Sequence, residues 1–396
     1  MSRWGMRAVG ALVVMVLASS CTSGGGSGDP AEQEKAKDPL TITASVENGA
    51  ADVPVDSVVT VDGFDGQLAD VTLASADGAT TIPGEVHGVR WTAGQLLEPA
   101  TTYVLTASGT GDDGRQVTET SRFTTRALSL DEQTYPAVAP LQGETVGVGM
   151  PVIVSFDIAV KDRAAFEKRM KVTAQPATDG GWYWLSDNTA HWRPKKLWKP
   201  GTKVTVDLGL NSVHAGNGIY GQQDQHVEFT VGRSVVSVVD TRRHRMTVKI
   251  DGKARRTIPV STGDADHRSR NGIKVIMEKH RSIDMDAATT GVDSDDPNYY
   301  NLKGVKYAMR VTNSGEFLHA APWSAASQGN ANVSHGCVGM STKDAAWVFA
   351  QSKRGDIVSY VGSPRRLEPA NGWTDWNRSW DEWLEGSALG ADAEDA

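Results

Sequence analysis

The sequence of 396 residues contains Gly315-Glu316-Phe317-Leu318-His319 and, beginning fifteen residues after His319, Ser334-His335-Gly336-Cys337. These two stretches are the most informative part of the sequence about the fold. The first stretch is predicted to be a β-strand, and the segment between the two is rich in Gly, Ser, Asn and Ala, as expected of a loop. Such a loop can bring the imidazole of His319 to the thiol of Cys337. An imidazole that accepts the thiol proton makes a cysteine a strong nucleophile.

The residues beside this cysteine suit acyl transfer. Gly336, immediately before Cys337, lets the backbone approach a substrate closely, and amide groups at such a turn can donate to the oxyanion of a tetrahedral intermediate. One His and one Cys alone are weak support, because buried cysteines are common and most histidines are structural. The pattern therefore favours a thioester intermediate without establishing it.

The two stretches together resemble the signature of the L,D-transpeptidases. Three further runs resemble the actinobacterial members of that family: His319-Ala320-Ala321-Pro322-Trp323-Ser324, Lys353-Arg354-Gly355-Asp356-Ile357-Val358 and Trp373-Thr374-Asp375-Trp376-Asn377-Arg378-Ser379-Trp380. The resemblance covers nearly the whole chain after its leader. It implies two immunoglobulin-like domains followed by a catalytic domain.

The resemblance also assigns the reaction. Cys337 is expected to be the nucleophile, His319 its general base, and the main-chain carbonyl of Ala320 the group that fixes the imidazole. Such enzymes attack the bond between the third residue, a diamino acid, and the terminal D-alanine of a peptidoglycan tetrapeptide stem. They pass the acyl group to an amine of another stem, which gives a 3→3 cross-link. Carbapenems are expected to acylate the same thiol, and no cofactor is implied.

The resemblance assigns supporting roles to other residues of the motif. His335 and Gly336 are expected to shape the oxyanion site, with the Cys337 amide as a donor, and Ser334 to hold the loop by hydrogen bonding. Gly339 departs from the pattern, because many family members have Asn or Arg at this position. The departure concerns substrate contacts, since neither the nucleophile nor the base is affected.

Three alternatives remain open from the sequence. The same acyl-enzyme would serve an L,D-carboxypeptidase if water were the acceptor, and a non-catalytic wall-binding lipoprotein could retain the fold. A zinc site formed by His319, His335 and Cys337 is the third, because all three side chains are common zinc ligands.

Aromatic residues near the motif are candidates for the substrate groove. Trp323, Tyr300 and Tyr307 are candidates to line it, next to a polar insertion from Asp284 to Asn298 that suits a mobile lid. For Trp323 and Tyr307, a place in the hydrophobic core is an equal alternative. The aspartates of this insertion could instead bind calcium, but the run lacks the glycine and distal glutamate of a calcium loop.

The amino terminus predicts export. Arg3 and Arg7 precede an apolar run from Ala8 to Ala18, and the sequence up to Cys21 resembles a bacterial lipobox. Residues 1–20 are therefore a predicted signal peptide, cut before a lipidated Cys21 that anchors the chain to the outer face of the membrane, from which it reaches into the cell wall. An ordinary signal peptide is the alternative. Residues 21–40 form a predicted flexible linker.

The remaining sequence predicts a mainly β protein of several domains. Residues 41–126 and 127–232 resemble two copies of one unit, since Trp91 precedes Pro99 by eight residues and Trp192 precedes Pro200 by the same spacing. A repeat of this size with short strands is typical of an immunoglobulin-like sandwich. A β-rich catalytic domain over 233–363 and a Trp-rich tail with a short helix over 364–396 follow. The net charge of -8, without a block of Lys or Arg, argues against nucleic acid as the partner.

Tryptophans cluster in two places. Those at 182, 184, 192 and 198 either form a stacking platform or fill the core of the second sandwich, and we favour the core because aromatic residues supply large buried areas. Those at 373, 376, 380 and 383 are spaced by three and four, as on one helical face, and are expected to dock the tail onto the catalytic domain.

Overall fold

The computed structural model describes residues 37–296 and 299–390 and shows a mainly β protein, as predicted. The predicted signal peptide, Cys21 and the end of the Asp-rich insertion lie outside the described residues. Within the described ranges, no helix is both long and apolar enough to cross a membrane.

The first group of strands forms two four-stranded sheets that enclose one core. Their orders are β1-β2-β6-β5 and β4-β3-β7-β8. Burial alternates along β7, as period-two side chains require, and places Tyr103 against Phe123 at 5.6 Å between ring centroids. The strands are β1 Thr41–Ala44, β2 Thr60–Phe64, β3 Gly66–Ser75, β4 Thr81–Ile82, β5 Gly84–His87, β6 Arg90–Ala93, β7 Thr102–Gly111 and β8 Gln116–Thr124.

The second group forms a second sandwich, with sheets β10-β12-β15-β14 and β11-β19-β16-β13 and a small sheet β17-β18-β9. The strands are β9 Gln133–Thr134, β10 Pro136–Ala139, β11 Thr145–Val146, β12 Val152–Phe156, β13 Met170–Gln175, β14 Gly180–Ser186, β15 Thr189–Pro194, β16 Lys203–Leu208, β17 His214–Gly216, β18 Ile219–Gly221 and β19 Gln225–Val231, and helix α1 is Arg163–Glu167. Trp182, Trp184, Trp192 and Trp198 are each at most 6% exposed within its core. The core interpretation of these tryptophans is confirmed.

The third group carries His319 and Cys337 on two sheets, ordered β22-β21-β20-β28-β23 and β24-β25-β26-β27. Helix α2, Thr342–Gln351, begins at the Ser341 N-cap and buries Ala345 and Val348 in the shared core. The strands are β20 Val235–Asp240, β21 Arg245–Ile250, β22 Lys253–Pro259, β23 Gly272–Val275, β24 Glu278–Asp286, β25 Asn301–Arg310, β26 Phe317–Ala320, β27 Val338–Met340 and β28 Ile357–Val361. Short 3₁₀ turns span Leu130–Glu132, Ala287–Thr290, Pro322–Ser327 and Asp375–Asn377.

The second sandwich is joined to the third group by backbone hydrogen bonds. The amides of Gly147 and Gly149 donate to the carbonyls of Arg354 and Gly355, each at 2.8 Å. A Cβ on Gly147 would lie 2.2 Å from the Asp356 nitrogen, so only glycine permits this approach. Glu144 also forms an ion pair with Arg354.

The tail docks differently from the prediction. It is not one helix, because a 3₁₀ turn is followed by a separate short helix α3, Trp380–Leu384, capped by Ser379. Trp383 is fully buried on the second sandwich, where its Nε1 donates to the Gly181 carbonyl at 2.8 Å and its ring lies 5.0 Å from that of Tyr183. The stripe is a packing stripe, as expected, but the second sandwich receives Trp383.

Candidate active site

The sheet register brings the two predicted catalytic side chains to one face. β26 and β27 pair in parallel, and His319 is the Cα partner of Gly339. Cys337 precedes Gly339 by two residues, and side chains two apart along an extended chain point to the same side. His319 and Cys337 both line a cavity of about 230 Å³, together with Tyr300 and Trp323.

The orientation of the His319 imidazole follows from its hydrogen bond. Its Nδ1 lies 2.8 Å from the carbonyl oxygen of Ala320, and because a carbonyl only accepts, Nδ1 carries the hydrogen. Nε2 then has the lone pair that a general base needs. The ring is 5% exposed and lies 5.8 Å from the Trp323 ring, with 24° between their planes.

Burial acts on the acid and the base in opposite directions. It raises the pKa of the Cys337 thiol to about 12, although the Phe317 amide and the cations Lys274 and Arg310 counteract it. Burial also lowers the pKa of His319. Both shifts favour the neutral imidazole and the neutral thiol, whose Sγ lies 3.7 Å from the Gly315 carbonyl oxygen. They therefore oppose a thiolate–imidazolium pair.

Hydrogen bonds fix the loop over residues 334–337, which contains the predicted nucleophile and is called the nucleophile loop below. The hydroxyl of Ser334 donates to the Cys337 carbonyl at 2.7 Å and accepts from the Gly336 amide at 3.2 Å, while the hydroxyl of Ser269 donates to the Gly336 carbonyl at 2.7 Å. Gly336 has φ +120°, and a Cβ there would lie 3.3 Å from the Glu316 side chain. Both its conformation and this wall favour glycine.

His335 lies at the rim of the same cavity. Its ring centroid is 4.5 Å from that of His267 and 5.1 Å from that of Tyr300. Burial, and then the charge of His267, lowers the pKa of His335, whereas the carboxylate of Asp264, which accepts from the His267 ring, raises it. Burial raises the pKa of Tyr300 to about 12, so its hydroxyl remains a donor at neutral pH.

A buried ion network behind the loop was not predicted. The ammonium of Lys274, whose side chain is fully buried, pairs with Glu316 and lies 3.4 Å from the Tyr360 ring centroid. The same carboxylate accepts from the amide and guanidinium of Arg270, both at 3.0 Å. Burial lowers the pKa of Lys274 to about 8. The available sequence signal was a lysine inside the apolar run from Ile273 to Met277.

Gly339 lies on the cavity wall in a crowded position. Its amide donates to the Ser261 carbonyl at 2.8 Å, and its carbonyl accepts from the Ser261 amide at 2.9 Å. A Cβ on Gly339 would lie 2.9 Å from the Cβ of Ala321, which is too close without movement. The Asn or Arg that the resemblance leads one to expect would require a shifted neighbour here.

The prediction that Tyr307 lines the groove is wrong. Tyr307 lies outside the cavity, and its ring packs 5.7 Å from that of Phe349 against the core of the third group. Tyr300 and Trp323 do line the cavity, and Trp323 is 58% exposed. Lining residues that the sequence did not suggest are Ser261, Met285, Leu302, Ser324 and Val333.

The described residues contain no group of three His, Cys, Asp or Glu side chains that could hold a metal ion. The geometry of residues 37–296 and 299–390 therefore gives no support to the zinc or the calcium alternative.

Comparison with known proteins finds two matching families along the chain. Residues 234–359 match the L,D-transpeptidase catalytic domain family, and residues 50–214 match a bacterial Ig domain family. L,D-transpeptidase 2 of Mycobacterium tuberculosis is 37% identical over 95% of this chain and 93% of its own length. L,D-transpeptidase 5 of the same species is 36% identical over 88% of this chain and 77% of its own length.

The solved structure of LD transpeptidase LdtMt1 in complex with imipenem is also similar. It is 34% identical, with a TM-score of 0.51, over 58% of this chain and 99% of that one.

Proposed function

Because the chain belongs to the L,D-transpeptidases, we propose that it forms 3→3 cross-links between peptidoglycan stem peptides through a thioester on Cys337. The observation that carries the proposal is the His319 imidazole, oriented by the Ala320 carbonyl, on the same sheet face as the Cys337 thiol. The cavity that contains both side chains is open to a peptide at its exposed Trp323 edge.

Acylation uses the residues in a defined order. Nε2 of His319 accepts the thiol proton as Sγ of Cys337 attacks the carbonyl carbon of the diamino acid in the donor stem. The Cys337 amide donates to the oxyanion, a position that Ser334 stabilises through its hydrogen bond to the Cys337 carbonyl. His319 then gives the proton to the leaving nitrogen of D-alanine as the C–N bond breaks.

Transfer of the acyl group reverses these roles. The amine of an acceptor stem attacks the thioester carbon and gives a proton to His319 as the C–S bond breaks. His319 then passes this proton to the departing thiolate, which regenerates the Cys337 thiol. Water in place of the amine would give the carboxypeptidase reaction. Tyr300 and Trp323 line the cavity beside Cys337, where they can contact an acceptor stem that brings its amine to the thioester.

The test uses the chain without its leader and defined tetrapeptide stems, with products identified by mass spectrometry. We expect a cross-linked dimer and free D-alanine, and neither product from Cys337→Ala. Hydrolysed tripeptide alone would overturn cross-linking in favour of the carboxypeptidase. Meropenem should add one adduct mass to the wild-type protein, and the same adduct on Cys337→Ala would overturn the assignment of the nucleophile.

We further propose a lipid anchor on Cys21 and a location outside the membrane. The support is the lipobox-like sequence that ends at Cys21 and the predicted flexible linker over residues 21–40. We also propose the domain limits 41–126, 127–232, 233–363 and 364–396, which are supported by the repeat and by the pattern of predicted strands in the sequence. Membrane fractionation of the full chain and of Cys21→Ala tests the anchor, and equal membrane retention of both would contradict it.

A further inference from the structure

Charge is divided unequally along the chain. Residues 233–363 contain 19 Lys and Arg against 13 Asp and Glu, a formal charge of +6, whereas the whole chain carries -8. The catalytic region is thus strongly basic and the remainder strongly acidic. A region with this sign attracts polyanions and orients an approaching molecule, while the first sandwich, with a formal charge of -8 over residues 41–126, is repelled from the same polymer.

A second cavity, of about 380 Å³, lies behind the nucleophile loop in this basic region. We name it the Arg242–Arg268 cavity. Its walls come from the turn after β20, the loop over 262–269 and the turn after β28, and each contributes polar groups. Arg242, His244 and Arg268 line it, and no Asp or Glu is among its described lining residues.

The arginines that line this cavity differ from nearby arginines in the partners that their guanidinium groups have. Arg243 and Arg365, just outside it, have the carboxylates of Asp240 and Glu368 as partners. Nε of Arg242 instead donates to the Gly362 carbonyl at 3.0 Å, which is a neutral contact. Within residues 37–296 and 299–390, neither Arg242 nor Arg268 forms an ion pair with a carboxylate. A guanidinium can bind a carboxylate or a phosphate through two parallel hydrogen bonds.

The cavity shares a wall with the nucleophile loop. The side-chain oxygen of Asn332 accepts from the Thr262 amide at 3.0 Å, the Thr262 hydroxyl at 2.8 Å and Nδ1 of His244 at 2.9 Å. Because that oxygen only accepts, Nδ1 of His244 carries the hydrogen. On the same loop, Ser269 holds the Gly336 carbonyl. A ligand in this cavity therefore touches residues that also position the loop around Cys337.

We propose that the Arg242–Arg268 cavity is an anion-binding exosite for the wall polymer, taking a carboxylate or a phosphodiester while the reacting stem occupies the Cys337 cavity. The proposal rests on the proposed function, because it assumes that the polymer is the substrate. Stem-peptide carboxylates and phosphodiester polymers of the wall are two sources of the same anionic chemistry, and the experiment separates them.

The test compares two double variants with the same change in charge. Arg242→Glu/Arg268→Glu reverses the cavity, and Lys249→Glu/Lys253→Glu reverses two exposed lysines of the β21–β22 hairpin that do not line it. Binding to purified sacculi is measured by co-sedimentation over a salt series. Acylation of Cys337 by meropenem is measured on the same samples, so that loss of the active site is distinguished from loss of the exosite.

We expect the cavity variant to bind sacculi about tenfold more weakly, with a flatter salt dependence, because fewer counterions are displaced. The hairpin variant should lose less than about threefold. Equal losses in both variants, or wild-type binding by the cavity variant, would overturn the exosite. Arg242→Gln/Arg268→Gln, with smaller electrostatic consequences for folding, must show the same order of effects.

The anion is assigned with sacculi extracted by mild acid, which removes phosphodiester-linked polymers. Unchanged binding of the wild type after extraction supports the exosite with stem carboxylates as ligand, and reduced binding supports it with phosphodiesters. If the wild type binds sacculi in a cavity-dependent way but Cys337 is not acylated, the proposed function fails while the exosite stands.

Discussion

Lys274→Met removes a buried cation from beneath the nucleophile loop. The ammonium of Lys274 pairs with Glu316, whose side chain lies where a Cβ on Gly336 would approach it to 3.3 Å. The charge therefore acts close to Cys337. Lys274 lowers the pKa of the thiol and Glu316 raises it, so the substitution leaves the unfavourable charge in place and removes a favourable one.

The size of the effect follows from the burial of the pair. An opposite charge within a few ångströms shifts a pKa by about one to three units, and one unit corresponds to a factor of ten in the thiolate population. We expect Lys274→Met to slow alkylation of Cys337 by iodoacetamide by about tenfold at neutral pH. Because the pKa of Lys274 is itself about 8, the difference from wild type should shrink as the pH rises above that value.

The assay is the alkylation rate of Cys337 over a pH series, with Cys337→Ala as the background. Arg310, His319 and Tyr300, which also face the thiol, are unchanged in every variant. Lys274→Arg keeps the charge and should remain near the wild-type rate. Lys274→Met/Glu316→Gln removes both charges and should recover part of the loss. Slowing by Lys274→Arg as large as that by Lys274→Met would refute the electrostatic explanation.

Three other substitutions test the packing and linkage described above. Gly339→Ala should lower the free energy of unfolding by about 1–3 kcal/mol, since the new Cβ meets Ala321, and an unchanged melting temperature would contradict this crowding. Trp383→Ala should lower the free energy of unfolding in urea by about 3–5 kcal/mol. Tyr183→Phe is the control, because it keeps the aromatic ring that packs against Trp383. Burial raises the pKa of Asp356 to about 7, so the contribution of this carboxyl group to stability should fall as the pH rises from about 4 to 7, by up to roughly 1.4 kcal/mol per pH unit. Asp356→Asn should remove this part of the pH dependence. The same pH dependence in the variant and the wild type would refute the assignment to Asp356.

The sequence was sufficient where local pattern and chemistry agree. The sequence predicts a strand over residues 315–319 and a loop from there to Cys337. The strand is Phe317–Ala320, and its parallel register brings His319 and Cys337 to one face. The structure differs from the prediction where residues that are close in the sequence lie apart in the fold. Tyr307 is five residues beyond the cavity residue Leu302, but positive φ angles at Gly304 and Tyr307 interrupt the regular alternation of the strand between them.

Two other features depend on partners far away in the sequence. The spacing of the tail tryptophans fits one helix, but the Ser379 cap begins a new helix, and Trp383 then meets Gly181 about two hundred residues earlier. Lys274 and Glu316 each look like surface charges within apolar segments, and only the fold shows that they neutralise one another in the core. No local pattern encodes such a pairing.

Burial of the active site has a consequence for the selectivity of the nucleophile. It raises the pKa of the Cys337 thiol and lowers that of the His319 imidazole, so both changes oppose an ion pair in the free enzyme. The buried charge of Lys274 acts in a region of low dielectric, where it stabilises negative charge as that charge forms. We therefore expect the Cys337 thiol to react slowly with small electrophiles such as iodoacetamide at neutral pH. Under the proposed mechanism, an acyl donor bound in the cavity reacts faster, because His319 accepts the thiol proton during the attack.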